Sequence, residues 1–216
     1  MSLDEFLERQ DRIYAAFRDT ATLRRQGTIP NLRSAAGVIV ALHHDDGVNQ
    51  SVATISSGLS QIIPCVTYSP STVHTTLVVY DAKAQSEPDA GLLSRLTADL
   101  IRHRANWRRP VIRYGELLAN EDSVIAAGVP DEAFVQMVEQ IRLSTAHYDV
   151  SVRPTWGAHM TVARFTRGVS PQLAQHLLEY LRSEVLADSS PVALDVGRFT
   201  FAHGEFSYDV YDRLRL

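Results

Sequence analysis

Two short stretches decide how this chain is read: His74-Thr75-Thr76-Leu77 and His159-Met160-Thr161-Val162. Each has the form His-x-Thr-aliphatic and each opens an apolar, β-branched run, Leu77-Val78-Val79-Tyr80 in one case and Val162-Ala163-Arg164-Phe165 in the other. Such runs read as buried or half-buried strands. Side chains alternate between the two faces of a strand, so His74 shares a face with Thr76, and His159 with Thr161. Arg164 lies five positions after His159 and is expected on the opposite face by the same rule.

A single His-x-Thr carries little information. Eight histidines should yield roughly one such pair by chance, and a threonine in a strand is often there as a good strand former. The other six histidines are followed at the second position by Asp45, Asp46, Ala105, Asp149, Leu178 and Glu205. The two pairs therefore stand alone, and their surroundings repeat. Val38-Ile39-Val40-Ala41-Leu42 reads as a strand, followed by a helical pattern at Val52, Ile55, Leu59 and Ile62, the first motif, and a second helical pattern at Leu92, Leu93, Leu96 and Leu100. Val124-Ile125-Ala126-Ala127 opens the same order again, with helical patterns at Phe134, Met137, Val138 and Ile141 and at Leu173, Leu177, Leu178 and Leu181 around the second motif. Val38 to Val124 is 86 positions and His74 to His159 is 85. A duplication at one offset predicts two lobes related by a pseudo-two-fold axis. That axis would set the motif strands side by side, with both histidines on one cleft.

On these residues the chain resembles the 2H phosphoesterase superfamily, which includes RNA 2′,3′-cyclic phosphodiesterases of the "2′-5′ RNA ligase" type. Two His-x-Thr/Ser-hydrophobic motifs define that group, and His159-Met160-Thr161-Val162-Ala163-Arg164 is close to its usual second motif. The hairpin-like stretch from Val111 to Val129 and the final strands also fit. The resemblance spans roughly Ser34 to Leu216 and stops short of the first 33 residues, since members commonly begin at the first strand. It implies an α+β fold: a duplicated, two-lobed domain over 34–216, with antiparallel sheets flanking a central cleft and helices packed outside. Residues 1–33 would be a helical extension.

The chemistry implied is hydrolysis of a cyclic phosphodiester. That needs a base to take a proton from water and an acid to protonate the leaving oxygen. Histidine suits both, because its ordinary pKa lies near neutral pH. His74 and His159 are the expected catalytic pair, and either could hold either role. Thr76 and Thr161 would hydrogen-bond the non-bridging oxygens. Trp156 and Tyr208 are candidates for base stacking. No metal or other cofactor is expected: no Asp/Glu cluster has divalent-metal spacing and no phosphate-binding glycine loop is present. The partner expected is a small cyclic nucleotide or an RNA end, with no membrane and no obligate protein partner. Two alternatives remain, a transesterase of the same fold that trims RNA to a cyclic end and a binding module without turnover. Two intact imidazoles favour catalysis over binding.

Composition bounds these readings. The chain has 216 residues, enough for one bilobed unit with a sizeable core. A formal charge of −4 argues against a long nucleic-acid footprint but leaves room for a local basic patch. One cysteine, Cys65, excludes an internal disulfide and fits a reducing compartment. The longest apolar run is far short of the ~20 residues of a spanning helix. Asp4, Glu5 and Glu8 do not fit a signal peptide, so a cytoplasmic location is the default expectation.

Four further stretches carry local readings. Leu3, Phe6, Leu7, Ile13, Tyr14 and Phe17 predict an amphipathic packing helix over 3 to about 25. His43-His44-Asp45-Asp46 looks like a ligand cluster, but neighbours in a strand diverge, and a polar turn is expected. Arg102 to Arg109, with Trp107 inside it, reads as a cationic helix C-terminus more readily than as an RNA contact. Ser170-Pro171 is a helix start, a polar loop through Pro88 leads into the third helix, and a His203-Gly204-Glu205 turn joins the last two strands.

Overall fold

A computed structural model describes residues 1–81, 90–147, 151–202 and 204–216. In chain order these form α1 (Leu3–Arg18), α2 (Ala21–Gln26), β1 (Ala35–His43), α3 (Asp46–Ile62), β2 (Cys65–Thr67), β3 (Thr75–Asp81) and α4 (Ala90–His103). There follow β4 (Ile112–Ala119), β5 (Ser123–Pro130), α5 (Glu132–Ser144), β6 (Ser151–Pro154), β7 (His159–Phe165), α6 (Pro171–Ser183), β8 (Ala193–Ala202) and β9 (Glu205–Arg215). The loop through Pro88 and His203 lie outside the described residues.

All strand pairs are antiparallel, in the order β4-β5-β7-β3-β1-β8-β9, with β2 on β7 and β6 on β3. The two motif strands, β3 and β7, are neighbours at the centre and meet through a single register pair, Thr75 with Met160. Beyond it they part. β3 continues against β6 and β7 against β2, so the curled sheet splits into two lobes around a cleft. The duplication is visible here with one exchange: β2 comes from the first half of the chain but extends the second motif strand, and β6 does the converse. The helices follow the exchange, α3 lying against β2 and β7, and α5 against β3 and β6.

Local chemistry fixes the helix starts. Asp45, Asp131 and Ser170 are N-caps whose side chains accept from the backbone N–H of Val48, Phe134 and Leu173, and Pro171 follows Ser170 at the first helical position. Leu77, Val78, Met160 and Val162 turn away from the cleft into the hydrophobic core beneath α3 and α5.

Three expectations change. The N-terminal helix is two helices, broken at Asp19-Thr20. Its buried stripe is Phe6, Gln10 and Tyr14, with a polar residue at its middle. His43-His44-Asp45-Asp46 is not a polar turn, because both histidines are buried and Asp45 caps α3. The alternation argument holds all the same. His43 turns toward Asp195, 3.8 Å away, while His44 turns to Ser189 Oγ (2.6 Å) and Thr75 Oγ1 (3.0 Å).

Among the described residues, no group of three or more His, Cys, Asp or Glu side chains is placed to hold a metal ion. No helix among them is long and apolar enough to cross a membrane.

Candidate active site

Each motif histidine stands at the start of its strand, and the strand's alternation brings the threonine two residues on to the same face. His74, Thr76, His159 and Thr161 all line one cleft of about 330 Å³. The two rings are held in the same way. His74 Nδ1 lies 2.7 Å from the Thr72 carbonyl and His159 Nδ1 lies 3.1 Å from the Gly157 carbonyl, each two residues upstream. A carbonyl only accepts, so Nδ1 carries the proton in both rings and Nε2 is the basic nitrogen.

Burial holds both imidazoles below the ordinary histidine value, His159 at about 4. The Arg164 charge pushes both down further. Each bond to a backbone carbonyl acts against this, and at His74 so does the Asp195 carboxylate. Both rings are therefore neutral at pH 7.

Arg164 is the main correction to the sequence reading. It lines the cleft with the histidines instead of facing away from them. The cause is a β-bulge. Val124 pairs with Ala163 and Ile125 with Thr161, so Val162 is an extra residue and the alternation restarts one position later. Val162 and Ala163 both point into the core, and Arg164 returns to the face of His159 and Thr161. The first motif has the same device. Val40 pairs with Val78 and Ala41 with Thr76, so Leu77 is the extra residue and Val79 returns to the cleft. The two half-sites are thus His74, Thr76, Val79 and His159, Thr161, Arg164. They match position for position, with one guanidinium where the other half has a valine. Arg164 is steadied by the Phe201 ring, 5.4 Å below its guanidinium carbon.

Tyr68, just after β2, is buried in the cleft wall with its ring 5.0 Å from that of Phe206. Burial raises its hydroxyl pKa, against the pull of Arg164 and Thr161. No motif or periodicity pointed to this residue. Arg153, on β6, also lines the cleft, and no Asp or Glu is among its described lining residues. In a chain of net charge −4, the cleft is a local cationic island.

The other candidates fall as follows. Trp156 lines the cleft, but its ring is stacked on His159, with centroids 4.0 Å apart and planes 19° apart. Tyr208 does not line the cleft. It is buried behind His74 at 4.8 Å between ring centroids, where it supports the imidazole and offers no face to a base. Trp107 also lies away from the cleft, packed on the core. Of the basic stretch around it, Arg102 pairs with Asp99, and Arg109 donates to the carbonyls of Ser190 and Pro191.

Behind the first motif is a buried network that sequence could not reveal. His44 bonds Thr75, whose Oγ1 lies 2.7 Å from the Tyr114 hydroxyl. Burial holds His44 neutral, with its pKa near 3. The network pins Thr75, the middle residue of the His-x-Thr motif, from the side away from the cleft.

No family model and no curated protein matches the sequence. Solved structures do match. Escherichia coli LigT in complex with 3′-AMP superimposes with a TM-score of 0.57 at 13% identity, covering 85% of this chain and 99% of that one. TT0787 of Thermus thermophilus gives 0.55 at 14% identity, covering 83% and 97%. A structure described as a phosphoesterase gives 0.51 at 14%, covering 84% and 98%. At 13–14% identity the likeness is one of fold, and this chain shares their two-lobed α+β architecture.

Proposed function

We propose that this protein is a metal-independent phosphodiesterase that opens a cyclic phosphodiester, with a 2′,3′-cyclic phosphate at an RNA end or on a small nucleotide as substrate. The observation that carries the proposal is the pair of half-sites: two imidazoles with matching Nδ1 tethers, two hydroxyls and the Arg164 guanidinium on a single cleft without a carboxylate among its described lining residues. The E. coli LigT complex with 3′-AMP, a nucleoside monophosphate, supports the choice of substrate class.

In this mechanism Thr76, Thr161 and Arg164 hold the non-bridging oxygens and stabilise the charge that builds on them. One imidazole takes a proton from water as the water oxygen attacks phosphorus. The other, protonated, gives its proton to the ribose oxygen as the P–O bond breaks. The product is a phosphomonoester, and both imidazoles then exchange protons with solvent to reset. The anion itself supplies the second proton's stability, because a negative phosphoryl group beside the two rings raises their pKa values.

The test is incubation with 2′,3′-cyclic mononucleotides and cyclic-ended oligonucleotides, followed by ³¹P NMR, with and without EDTA. Conversion of the cyclic signal to a monoester, unchanged by EDTA, is expected. Tight binding with no conversion would make the protein a nucleotide-binding module. Activity restored only by a stoichiometric metal would refute the two-histidine scheme.

A further inference from the structure

The loop that delivers His159 is held by a helix outside the duplicated unit. It runs from Pro154 at the end of β6 to His159 at the start of β7. Its Thr155 carbonyl accepts from the Arg9 guanidinium at 2.6 Å. The Ala158 N–H donates to Gln10 Oε1 at 2.7 Å, and the Ala158 carbonyl accepts from the Tyr14 hydroxyl at 3.1 Å. Gln10 also donates to the Gly128 carbonyl on β5 at 3.0 Å, so one side chain ties the loop to a neighbouring strand. Trp156, stacked on the His159 ring, is met in turn by Tyr14 edge-on at 5.8 Å and by Phe17, nearly parallel, at 6.3 Å. Gly157 lies so close to the helix that a Cβ there would stand 3.2 Å from Gln10 Cγ and Oε1.

We propose that α1 is a positioning element for His159: Tyr14 and Phe17 hold the Trp156 indole flat against the imidazole, and Gln10 and Tyr14 fix the Gly157-Ala158 backbone that tethers and precedes it. The consequence for turnover rests on the proton-transfer role given to His159 above. The effect on the imidazole does not.

A helix that only covered apolar surface would carry an apolar stripe. This one has Gln10, 1% exposed, between Phe6 and Tyr14, with both ends of its amide used on backbone groups of lobe two. A buried amide is costly unless every partner is in place, so it specifies one docking geometry where leucine would tolerate several. The other half-site supports the inference. The position matching Trp156 at the 85-residue offset is Ser71, which brings no ring. His74 takes its aromatic support from Tyr208 on β9 instead. The two histidines therefore take their ring support from unrelated elements, His159 from the loop before its own strand and His74 from β9. The solved structures are covered almost end to end yet match only 83–85% of this chain. The unmatched share is about the size of the extension that ends at Arg33.

The experiment uses the full chain labelled with ¹⁵N-histidine, and long-range ¹H–¹⁵N spectra recorded across pH. In the wild type both motif imidazoles should show the Nδ1–H tautomer, with His159 titrating well below an ordinary exposed histidine. Phe17→Ala and Gln10→Leu should each release His159 from that tautomer and move its titration up toward ordinary histidine, while His74 is unchanged. They should lower kcat by about tenfold or more with KM within twofold, since small misplacements of a reacting group act on kcat. Phe17→Tyr should restore both. Phe6→Leu is the stability control. Phe6 packs edge-on against Phe134 of α5 at 5.6 Å. If Phe6→Leu, at an equal loss of Tm, moves His159 as far as the other two, the helix is packing alone and the proposal fails. It fails too if Phe17→Ala and Gln10→Leu leave the His159 signals at wild type. Should no phosphodiester be turned over at all, the function reading falls, while the imidazole spectra still decide the positioning claim.

Discussion

Holding His159 neutral in the empty cleft has a measurable cost in acid. Its pKa is about 4 in the folded chain against an ordinary 6.5, chiefly through burial. The sign follows from proton counting. Between pH 6.5 and 4 the unfolded chain binds a proton at this residue that the folded chain does not, so stability falls as pH falls through that window. Going from pH 7 to pH 5, the linkage integral for this one residue is about 2 kcal/mol, and about 3 kcal/mol below pH 4. The open edge of the cleft screens part of the charge, so these are ceilings. The perturbation is His159→Asn, which retains a donor for the Gly157 carbonyl but cannot titrate. Urea unfolding of both proteins at pH 7 and pH 5 should show the wild type losing up to about 2 kcal/mol more than the variant. Comparing differences cancels the contributions of His43, His44 and His74, whose values are also lowered by burial. Equal losses in the two proteins would refute the claim that burial keeps this imidazole neutral. The same physics predicts proton uptake on binding. Phosphate or 3′-AMP titrated near pH 6 in buffers of different ionisation enthalpy should show a proton taken up with the anion, and affinity should rise as pH falls.

Four further outcomes concern the same site. His74→Ala and His159→Ala should each lower turnover by roughly 10²–10⁴-fold with much smaller effects on binding, and the double variant should be far from multiplicative; parallel loss of binding and turnover would make the imidazoles mere ligand contacts. Thr76→Ser and Thr161→Ser, which retain the hydroxyl, should be mild beside the alanine variants in the same assay. Arg164→Ala should weaken anion binding by roughly 10- to 100-fold, the scale of one charged hydrogen bond, and raise the His159 pKa measured by NMR; an unchanged Kd would remove Arg164 from the phosphate. When one proton is shared by the anion-bound pair, Asp195 favours His74 as its holder, and imidazole ¹⁵N shifts of the phosphate complex should show His74 charged first.

How much of this was legible in the sequence depended on the range of the interaction. Period-two alternation placed His74 beside Thr76 and His159 beside Thr161, and the common offset placed β3 beside β7. Both rest on local geometry repeated over many residues. Arg164 was misplaced because one extra residue in a strand inverts everything after it, and Val162 looks like any other strand valine. β2 and β6 have three and four residues, too few for a period to register. Gln10 broke an apolar stripe and so was left out of it, although both ends of its buried amide bond the backbone across from α1. His43 and His44 read as a polar turn because their partners, Asp195, Ser189 and Tyr114, come from strands and loops far along the chain.

The duplication itself explains why these long-range partners matter. A pseudo-two-fold axis delivers two equal histidines, two equal threonines and two equal bulges, and equality is unhelpful to the proposed reaction, which needs one acid and one base. The half-sites differ by one residue inside the repeated pattern and by contacts that come from outside it. Arg164 faces Val79 across the axis. Asp195, on β8, lies in the field of His74 and is not among the groups that shift His159. His74 rests on Tyr208 of the C-terminal hairpin, and His159 on Trp156 backed by the N-terminal helix. The N-terminal helix and the C-terminal hairpin therefore act on opposite imidazoles. Substitutions in α1 should be felt at His159 and substitutions in β8 or β9 at His74, although the two imidazoles share one cleft.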